Sequence, residues 1–401
     1  MTIRTLDDLD VAGATVGVRI DVNSPLTSPT ELADDARLRA HRETLAELLD
    51  RGARVAVLAH QGRPGGDEFA SLEPHAERFD ELLDAPVDFV DVTFGAAARE
   101  AVAALDDGEA VVLENTRFYS EEYMEFAPDR AAETYLVERL APAFDAFVND
   151  AFAAAHRSQP SMVGFPERLP SYAGRIMETE LDVLGNIEDT PTPRLYVIGG
   201  AKVPDSIDVA ESVLERGLAD GVLTTGVVAN VFLLADGVDL GDASREFVEE
   251  EGYADEIERA ERLLADYGDR IHRPSDVAVE RDGERVELPL DDLPPREGEA
   301  AMDVGEATIA DYADRMADAG TVILNGPAGV FEDEQFRRGT RGIFEAATRV
   351  DTSIVGGGDT AAALRALGIE GFSHVSTGGG AALTLLTGEE LPAAALLADG
   401  D

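Results

Sequence analysis

Short β-rich runs alternate with amphipathic, alanine- and leucine-rich stretches along most of this chain, and that alternation limits the fold more than any other feature. In the first half the runs fall at residues 16–21, 54–59, 87–90, 110–113 and 146–148, with helical patterns between them such as 34–51, 73–83 and 129–140. Strands that alternate with helices build parallel sheets from βαβ units. The pattern breaks on Pro166 and Pro170, a helix then runs to about residue 188, and Asp189-Thr-Pro-Thr-Pro193 reads as a junction. Beyond it the architecture repeats, with strands expected at 194–198, 221–224, 321–324, 353–355 and 374–376. An acidic stretch over 236–306 carries a helix at 247–267 and a hairpin, 277–280 with 285–288, around Asp282-Gly283. The expected fold is α/β: two doubly wound, Rossmann-like parallel-sheet lobes joined by a hinge helix, with lobes at 1–170 and 194–390 and the hinge at 171–193.

Ligands of open α/β sheets bind at the carboxyl ends of the strands, so the residues just past each strand carry the most information. In the first lobe the strand ends lead into cations and polar hydrogen-bonders. The first reaches Asn23 and then Arg37, the second His60-Gln-Gly-Arg63, the fourth Glu114-Asn-Thr-Arg117, and the fifth Asn149-Asp-Ala-Phe-Ala-Ala-Ala-His156-Arg157. The chain carries 81 acidic against 33 basic residues, a formal net charge of −48. Four arginines at successive strand ends of so acidic a chain mark a site for a small, multiply anionic ligand, because guanidinium forks pair carboxylate and phosphate oxygens. In the second lobe the strand ends are glycine-rich: Gly199-Gly200-Ala201-Lys202, Thr225-Gly226, Asn325-Gly-Pro327-Ala-Gly329, Gly356-Gly357-Gly358-Asp359-Thr360 and Gly378-Gly379-Gly380. Glycines let backbone N–H groups approach phosphate, and a helix N-terminus adds a favourable dipole. Lys202 is the sole lysine of the chain and sits in one of these turns, which points to a nucleotide polyphosphate. The turn is not a Walker P-loop. Gly356–Ala361 fits the dinucleotide pattern G-x-G-x-x-A, but the next strand ends in Ser376-Thr377, where that fold wants an acid for the ribose. Asp359, just past three glycines, suits Mg²⁺ beside phosphates.

The acid is spread along the chain instead of forming a tail, which fits a protein that lives in concentrated salt, where the Debye length is roughly 3 Å at 1 M. It argues against nucleic acid or an anionic membrane as partner. The sequence has no cysteine, so disulfides and thiolate chemistry are excluded. It shows neither a signal-peptide core at Met1–Asp8 nor a run approaching 18 apolar residues. A cytoplasmic monomer acting on small molecules is expected.

At these same residues the chain resembles the phosphoglycerate kinase family over nearly its whole length. Arg19-Ile-Asp-Val-Asn-Ser-Pro25 is similar to the family's R-V-D-F-N-V-P, His60-Gln-Gly-Arg-Pro64 to H-L-G-R-P, and Leu113-Glu-Asn-Thr-Arg-Phe118 to L-E-N-x-R-F/Y. Asn149-Asp-Ala-Phe with His156-Arg157, Gly199-Gly-Ala-Lys-Val203, Asn325-Gly-Pro-Ala-Gly-Val-Phe-Glu332, Gly356–Thr360 and His374–Gly380 continue the match in order. The resemblance implies reversible transfer between ATP and 3-phosphoglycerate, giving ADP and 1,3-bisphosphoglycerate, with Mg²⁺. By matching position, Asp21, Asn23, Arg37, His60, Arg63, Arg117 and Arg157 would hold the phosphoglycerate. Gly200, Ala201, Lys202, Gly226, Asn325, Pro327, Glu332, Gly356, Gly357, Gly358, Asp359 and Thr360 would hold the nucleotide, with Asp359 the metal ligand. Arg37, Lys202 and the backbone N–H groups at Gly357 and Gly379 would neutralise the moving phosphoryl oxygens in a direct in-line transfer after hinge closure. The family also implies that residues 391–401 return to the first lobe. Two positions depart from the family pattern: Ser206 stands for a second lysine, and Gln159 for a histidine that many members carry. The rival readings are a non-catalytic two-lobed binder of an anionic metabolite and a nicotinamide dehydrogenase.

Overall fold

The computed structural model describes residues 3–398. The chain divides into two compact units, the first running up to Asp182 and taking up again at Glu390, the second spanning Val183–Glu389. The cut falls inside one helix, Arg175–Gly185.

The first unit is built on six strands: β1 (Thr15–Arg19), β2 (Arg54–Leu58), β3 (Val87–Val90), β4 (Ala110–Leu113), β5 (Ala146–Asn149) and β6 (Ser171–Ala173). Their order is β3-β4-β2-β1-β5-β6, and every pairing is parallel. Strands covered on both faces read as near-continuous apolar runs, which is why β1, β2, β4 and β5 stand out in the sequence. Alternate residues of one strand serve different cores. Val55 and Val57 join the cluster of Val16 and Leu45, while Ala56 and Leu58 join that of Val102 and Phe147. Helices therefore lie on both faces, as a doubly wound sheet requires.

The second unit repeats the plan with β7 (Arg194–Ile198), β8 (Gly221–Thr224), β9 (Ile271–His272), β10 (Asp276–Arg281), β11 (Glu284–Pro289), β12 (Asp303–Val304), β13 (Thr321–Asn325), β14 (Thr352–Gly356) and β15 (His374–Val375). Its main sheet is parallel in the order β9-β8-β7-β13-β14-β15. A small antiparallel sheet, β11-β10-β12, stands apart on its own apolar cluster of Leu233, Leu240, Val277, Val279 and Leu288. Chain order reverses beside the central strand of each main sheet, between β1 and β5 and between β7 and β13, and ligands of such sheets bind at that reversal.

The structure differs from the sequence reading in a few places. The edge strands β6 and β9 were not anticipated, being three and two residues long. The helix expected over 129–140 is two short pieces, Pro128–Ala131 and Tyr135–Leu140, because the Thr134 hydroxyl caps the Ala131 carbonyl at 2.7 Å. The helix expected over 247–267 is also two, Gly241–Glu250 and Ala254–Tyr267, broken where Gly252 takes a φ of +78°. The segment from Glu390 packs on the first unit, where Ala393 N–H donates to Ala155 O at 3.2 Å and Arg4 N–H to Leu397 O at 2.9 Å. Residues 399–401 of the expected return segment lie outside the described residues. Among the described residues no helix is long and apolar enough to cross a membrane.

His75, on the helix Glu73–Leu82, is fully buried, and burial pushes its pKa down to about 4. Unfolding returns it to about 6.5, so the unfolded chain takes up a proton that the folded one refuses, and stability falls as pH drops through that window. Denaturant titration in molar KCl should show a loss of stability between pH 7 and 5 that His75→Gln reduces by about 2 kcal/mol.

Candidate active site

At the carboxyl edge of the first sheet the loop after β1 turns back on itself. Asp21 is buried, pairs with Arg37, and accepts the Asn23 N–H at 3.3 Å. Asn23 Oδ1 accepts the N–H of Gly62, and the carbonyl of Gly62 accepts Arg117 Nη1, both at 2.8 Å. Three strand ends are thus tied together through one glycine. Asn115 braces the same junction, its Oδ1 accepting the N–H of Gln61 at 3.2 Å and of Arg117 at 3.1 Å.

A cavity of about 550 Å³ opens on this edge, lined by Arg63, Arg117, His156 and Arg157 with Glu122, Tyr123, Glu125 and Gln159. Burial, then the charges of Arg157, Arg19 and Arg63, bring Arg117 down to about 10. It stays protonated at neutral pH, in a field that a multiply charged anion relieves. His60 and His156 are both held below the usual histidine range, first by burial and then by a neighbouring arginine, Arg19 for His60 and Arg157 for His156. They are neutral at pH 7. Of the seven expected ligand residues, Arg63, Arg117 and Arg157 line the cavity, while Asp21, Asn23, Arg37 and His60 do not. Gln159, one of the two positions that depart from the expected pattern, lines it too.

The second unit offers two adjoining spaces. The smaller, about 140 Å³, is walled by Gly199–Lys202, Asp205, Ser206, Asn325–Pro327, Gly357–Thr360 and Gly379–Leu383 in part. Three helices begin here, Val203–Glu215, Gly358–Leu367 and Gly380–Leu386, so their free N–H groups and positive dipole ends meet at one place. Gly357 takes a φ of +89°, and a Cβ there would meet Asn325 Oδ1 at 2.7 Å. The Lys202 ammonium lies 2.9 Å from Asp359, both side chains well exposed. Thr360 is buried and accepts the Gly326 N–H at 2.7 Å, fixing the loop after β13 against that after β14. Ser206 is buried as well, its hydroxyl donating to Gly199 O at 3.2 Å.

The larger space, about 410 Å³, shares Gly200, Ala201, Pro327 and Asp359 with the first. Its walls are mostly apolar, from Val227, Phe247, Pro274, Val277, Met302, Val330 and Phe331, with Gly226 and Glu332 at its margin. A polar cradle opening into an apolar slot has the chemistry of a phosphate tail attached to a flat base. Of the expected nucleotide residues, Gly356 alone lines neither space, being the buried last residue of β14. The apolar walls were missed from sequence. They come from segments scattered over 227–331 that carry no shared motif, and only the tertiary fold assembles them.

The sequence model described as Phosphoglycerate kinase matches residues 6–389. The chain is 68% identical to "Phosphoglycerate kinase" of Halobacterium salinarum over 397 residues, 99% of this chain and 100% of the relative. It is 67% identical to that of Natronomonas pharaonis, covering 97% and 98%. The crystal structure of phosphoglycerate kinase from Pyrococcus horikoshii OT3 superposes with a TM-score of 0.91 at 41% identity, covering 98% of each chain. The chain belongs to the phosphoglycerate kinase family. Its kinship with salt-living relatives fits the charge argument.

Gly62 carries the first edge mechanically. Its φ is +68°, and a Cβ would sit 2.3 Å from Glu68 O. Gly62→Ala forces left-handed backbone on a residue with a side chain, at roughly 1–2 kcal/mol, and displaces the facing backbone as well. Its affinity for 3-phosphoglycerate by calorimetry should fall at least tenfold, with nucleotide affinity unchanged.

Proposed function

We propose that the chain catalyses reversible, Mg²⁺-dependent phosphoryl transfer between ATP and 3-phosphoglycerate, yielding ADP and 1,3-bisphosphoglycerate in glycolysis and gluconeogenesis. The observation that carries this reading is the contrast between the two sheet edges of one family member. One edge presents guanidinium groups around a polar cavity, the other presents helix N-termini, glycines and the sole lysine beside an apolar slot.

On the first edge Arg63, Arg117 and Arg157 bind the phosphate of phosphoglycerate, and Asp21, Asn23, Arg37 and His60 set the loops and orient its carboxylate end. On the second, Gly200, Ala201, Gly226, Asn325, Pro327 and Glu332 hold the nucleoside, while Gly357, Gly358 and Thr360 receive the phosphates. The acceptor is a carboxylate, already ionised at neutral pH, so it attacks the γ-phosphorus in line without a strong general base and without a phosphoenzyme. Arg37, Lys202 and the N–H groups at Gly357 and Gly379 stabilise the charge on the transferring phosphoryl oxygens.

Mg²⁺ is held in sites of this kind by one or two carboxylates together with substrate phosphates. Asp359 fits that role, because its exposed carboxylate borders both nucleotide spaces and pairs with the Lys202 ammonium. The bound cation would neutralise the polyphosphate charge. As the nucleotide enters, Asp359 releases Lys202, which is then free to follow the phosphates. Ser206 supplies no charge where the family pattern has a second lysine, and among the described residues Lys202 is the one cationic side chain lining this cradle. We further place the protein in the cytoplasm as a monomer that binds small molecules and neither nucleic acid nor membrane, in keeping with its charge.

The test is ADP formation from Mg-ATP and 3-phosphoglycerate, in molar KCl and in dilute buffer. Turnover in KCl with loss in dilute buffer is expected, because the charge of −48 then goes unscreened. Folded protein without turnover in KCl overturns the proposal. Lys202→Ala should lower kcat by about 10²–10³ under the same conditions.

A further inference from the structure

Beneath the arginine edge lies a buried chain of polar groups that the mechanism leaves without a task. Arg19, the last residue of β1, is 2% exposed. Its Nε donates to Ser161 Oγ at 3.0 Å, its Nη1 to the carbonyl of Ile20, and its Nη2 lies 2.9 Å from His60 Nδ1. Ser161 passes the interaction on. Its hydroxyl donates to Glu122 Oε2 and its N–H to Oε1, both at 2.7 Å, and Glu122 is also buried. The carboxylate of Glu122 balances the buried guanidinium through one hydroxyl.

The direction of each bond follows from the donor inventory. Arginine has only donors and does not deprotonate in proteins, so His60 Nδ1 must accept. A histidine whose Nδ1 accepts carries its proton on Nε2. That second nitrogen has no hydrogen-bond partner among the described residues and is not among the buried unpaired atoms, so it is the part of the nearly buried ring that reaches solvent.

We propose that Arg19 is a positioning residue that locks His60 as the neutral Nε2–H tautomer, so that the ring offers the anionic substrate a hydrogen-bond donor and never a lone pair. The groups that face His60 are Arg19, Asp21, Arg117 and Arg157, and burial together with the Arg19 charge holds its pKa well below the ordinary histidine value. The edge thereby gains a donor without adding a further cation to the cluster of Arg19, Arg63, Arg117 and Arg157, whose mutual repulsion already lowers Arg117. A carboxylate or hydroxyl oxygen of the substrate is the matching partner. The assignment rests on the reading of this edge as the phosphoglycerate site.

The test is ring ¹⁵N NMR on the full-length protein in molar KCl, with His60 identified by His60→Gln. The expected result is one protonated and one unprotonated ring nitrogen, the unprotonated one being Nδ1, unchanged from pH 8 to 5.5. Addition of 3-phosphoglycerate should shift the Nε2–H resonance. An Nδ1–H ring, or a ring that becomes doubly protonated in that range, overturns the lock even if the substrate still shifts it. A locked ring that is silent to 3-phosphoglycerate instead overturns the place of His60 in the substrate site. Arg19→Lys keeps the charge, but a single nitrogen cannot reach Ser161, Ile20 O and His60 together. In that variant KM for 3-phosphoglycerate should rise at least tenfold and vary with pH between 5.5 and 7.5, with KM for ATP unchanged and a flat profile in the parent. Ser161→Ala, which loosens Arg19 without burying a new charge, should move the same readout in the same direction. A flat profile in both variants overturns the proposal.

Discussion

A strand in a parallel sheet can be followed only by a crossover that carries the chain back over one face, so every strand releases its chain at the same edge. Both units of this protein obey that constraint, and both put their chemistry where it leads. In the first, the loops after β1, β2, β4 and β5 meet, and Gly62 bonds to residues from two of the others. In the second, the loops after β7, β13 and β14 interlock through Gly199 N–H to Asn325 O and Gly326 N–H to Thr360 Oγ1. The same topology thus makes two sites of opposite style. Side-chain cations surround one, and backbone N–H groups and helix ends line the other. A bulky phosphorylated acid is gripped by forks that reach it, whereas a linear polyphosphate can be laid against bare backbone.

Charge sharpens the contrast. In a protein of net charge −48, many arginines are taken up by carboxylates. Arg175 meets Asp7, Glu47 and Glu178, and Arg259 meets Asp208, Glu211 and Glu256. Such exposed pairs contribute about 0–1 kcal/mol each and are further screened by salt, so they manage repulsion more than they hold the fold. Among the described residues, Arg63, Arg117 and Arg157 make no such ion pair and stay available to a ligand. Beneath them the buried Arg19 guanidinium is linked through the Ser161 hydroxyl to the carboxylate of Glu122.

Much of this was legible in the residues. Eight strands of the two main sheets, β1, β2, β4, β5, β7, β8, β13 and β14, announce themselves as apolar runs, because nearly all their residues are buried. The ligand loops are legible for a related reason: glycine, arginine and lysine at strand ends are costly choices in an alanine-rich acidic chain. The edge strands Ser171–Ala173 and Ile271–His272 were hidden because so few residues leave no period to read. The apolar slot was hidden because Phe247, Met302 and Phe331 look like ordinary core residues until the tertiary fold brings them together. Arg19 was visible in its motif but not its role, since nothing in a sequence says that an arginine at a strand end points inward.

The account stands on the claim that the two edges take two different anions. Calorimetric affinities of Arg63→Met for 3-phosphoglycerate and for Mg-ADP, each against the parent in molar KCl, address it most directly. Arg63 lines the first cavity and neither of the second unit's spaces, and a charged hydrogen bond to phosphate is worth about 1.5–3 kcal/mol. The account predicts a tenfold or greater loss for 3-phosphoglycerate with Mg-ADP unchanged. Equal losses for both ligands, or an undiminished affinity for 3-phosphoglycerate, would contradict it.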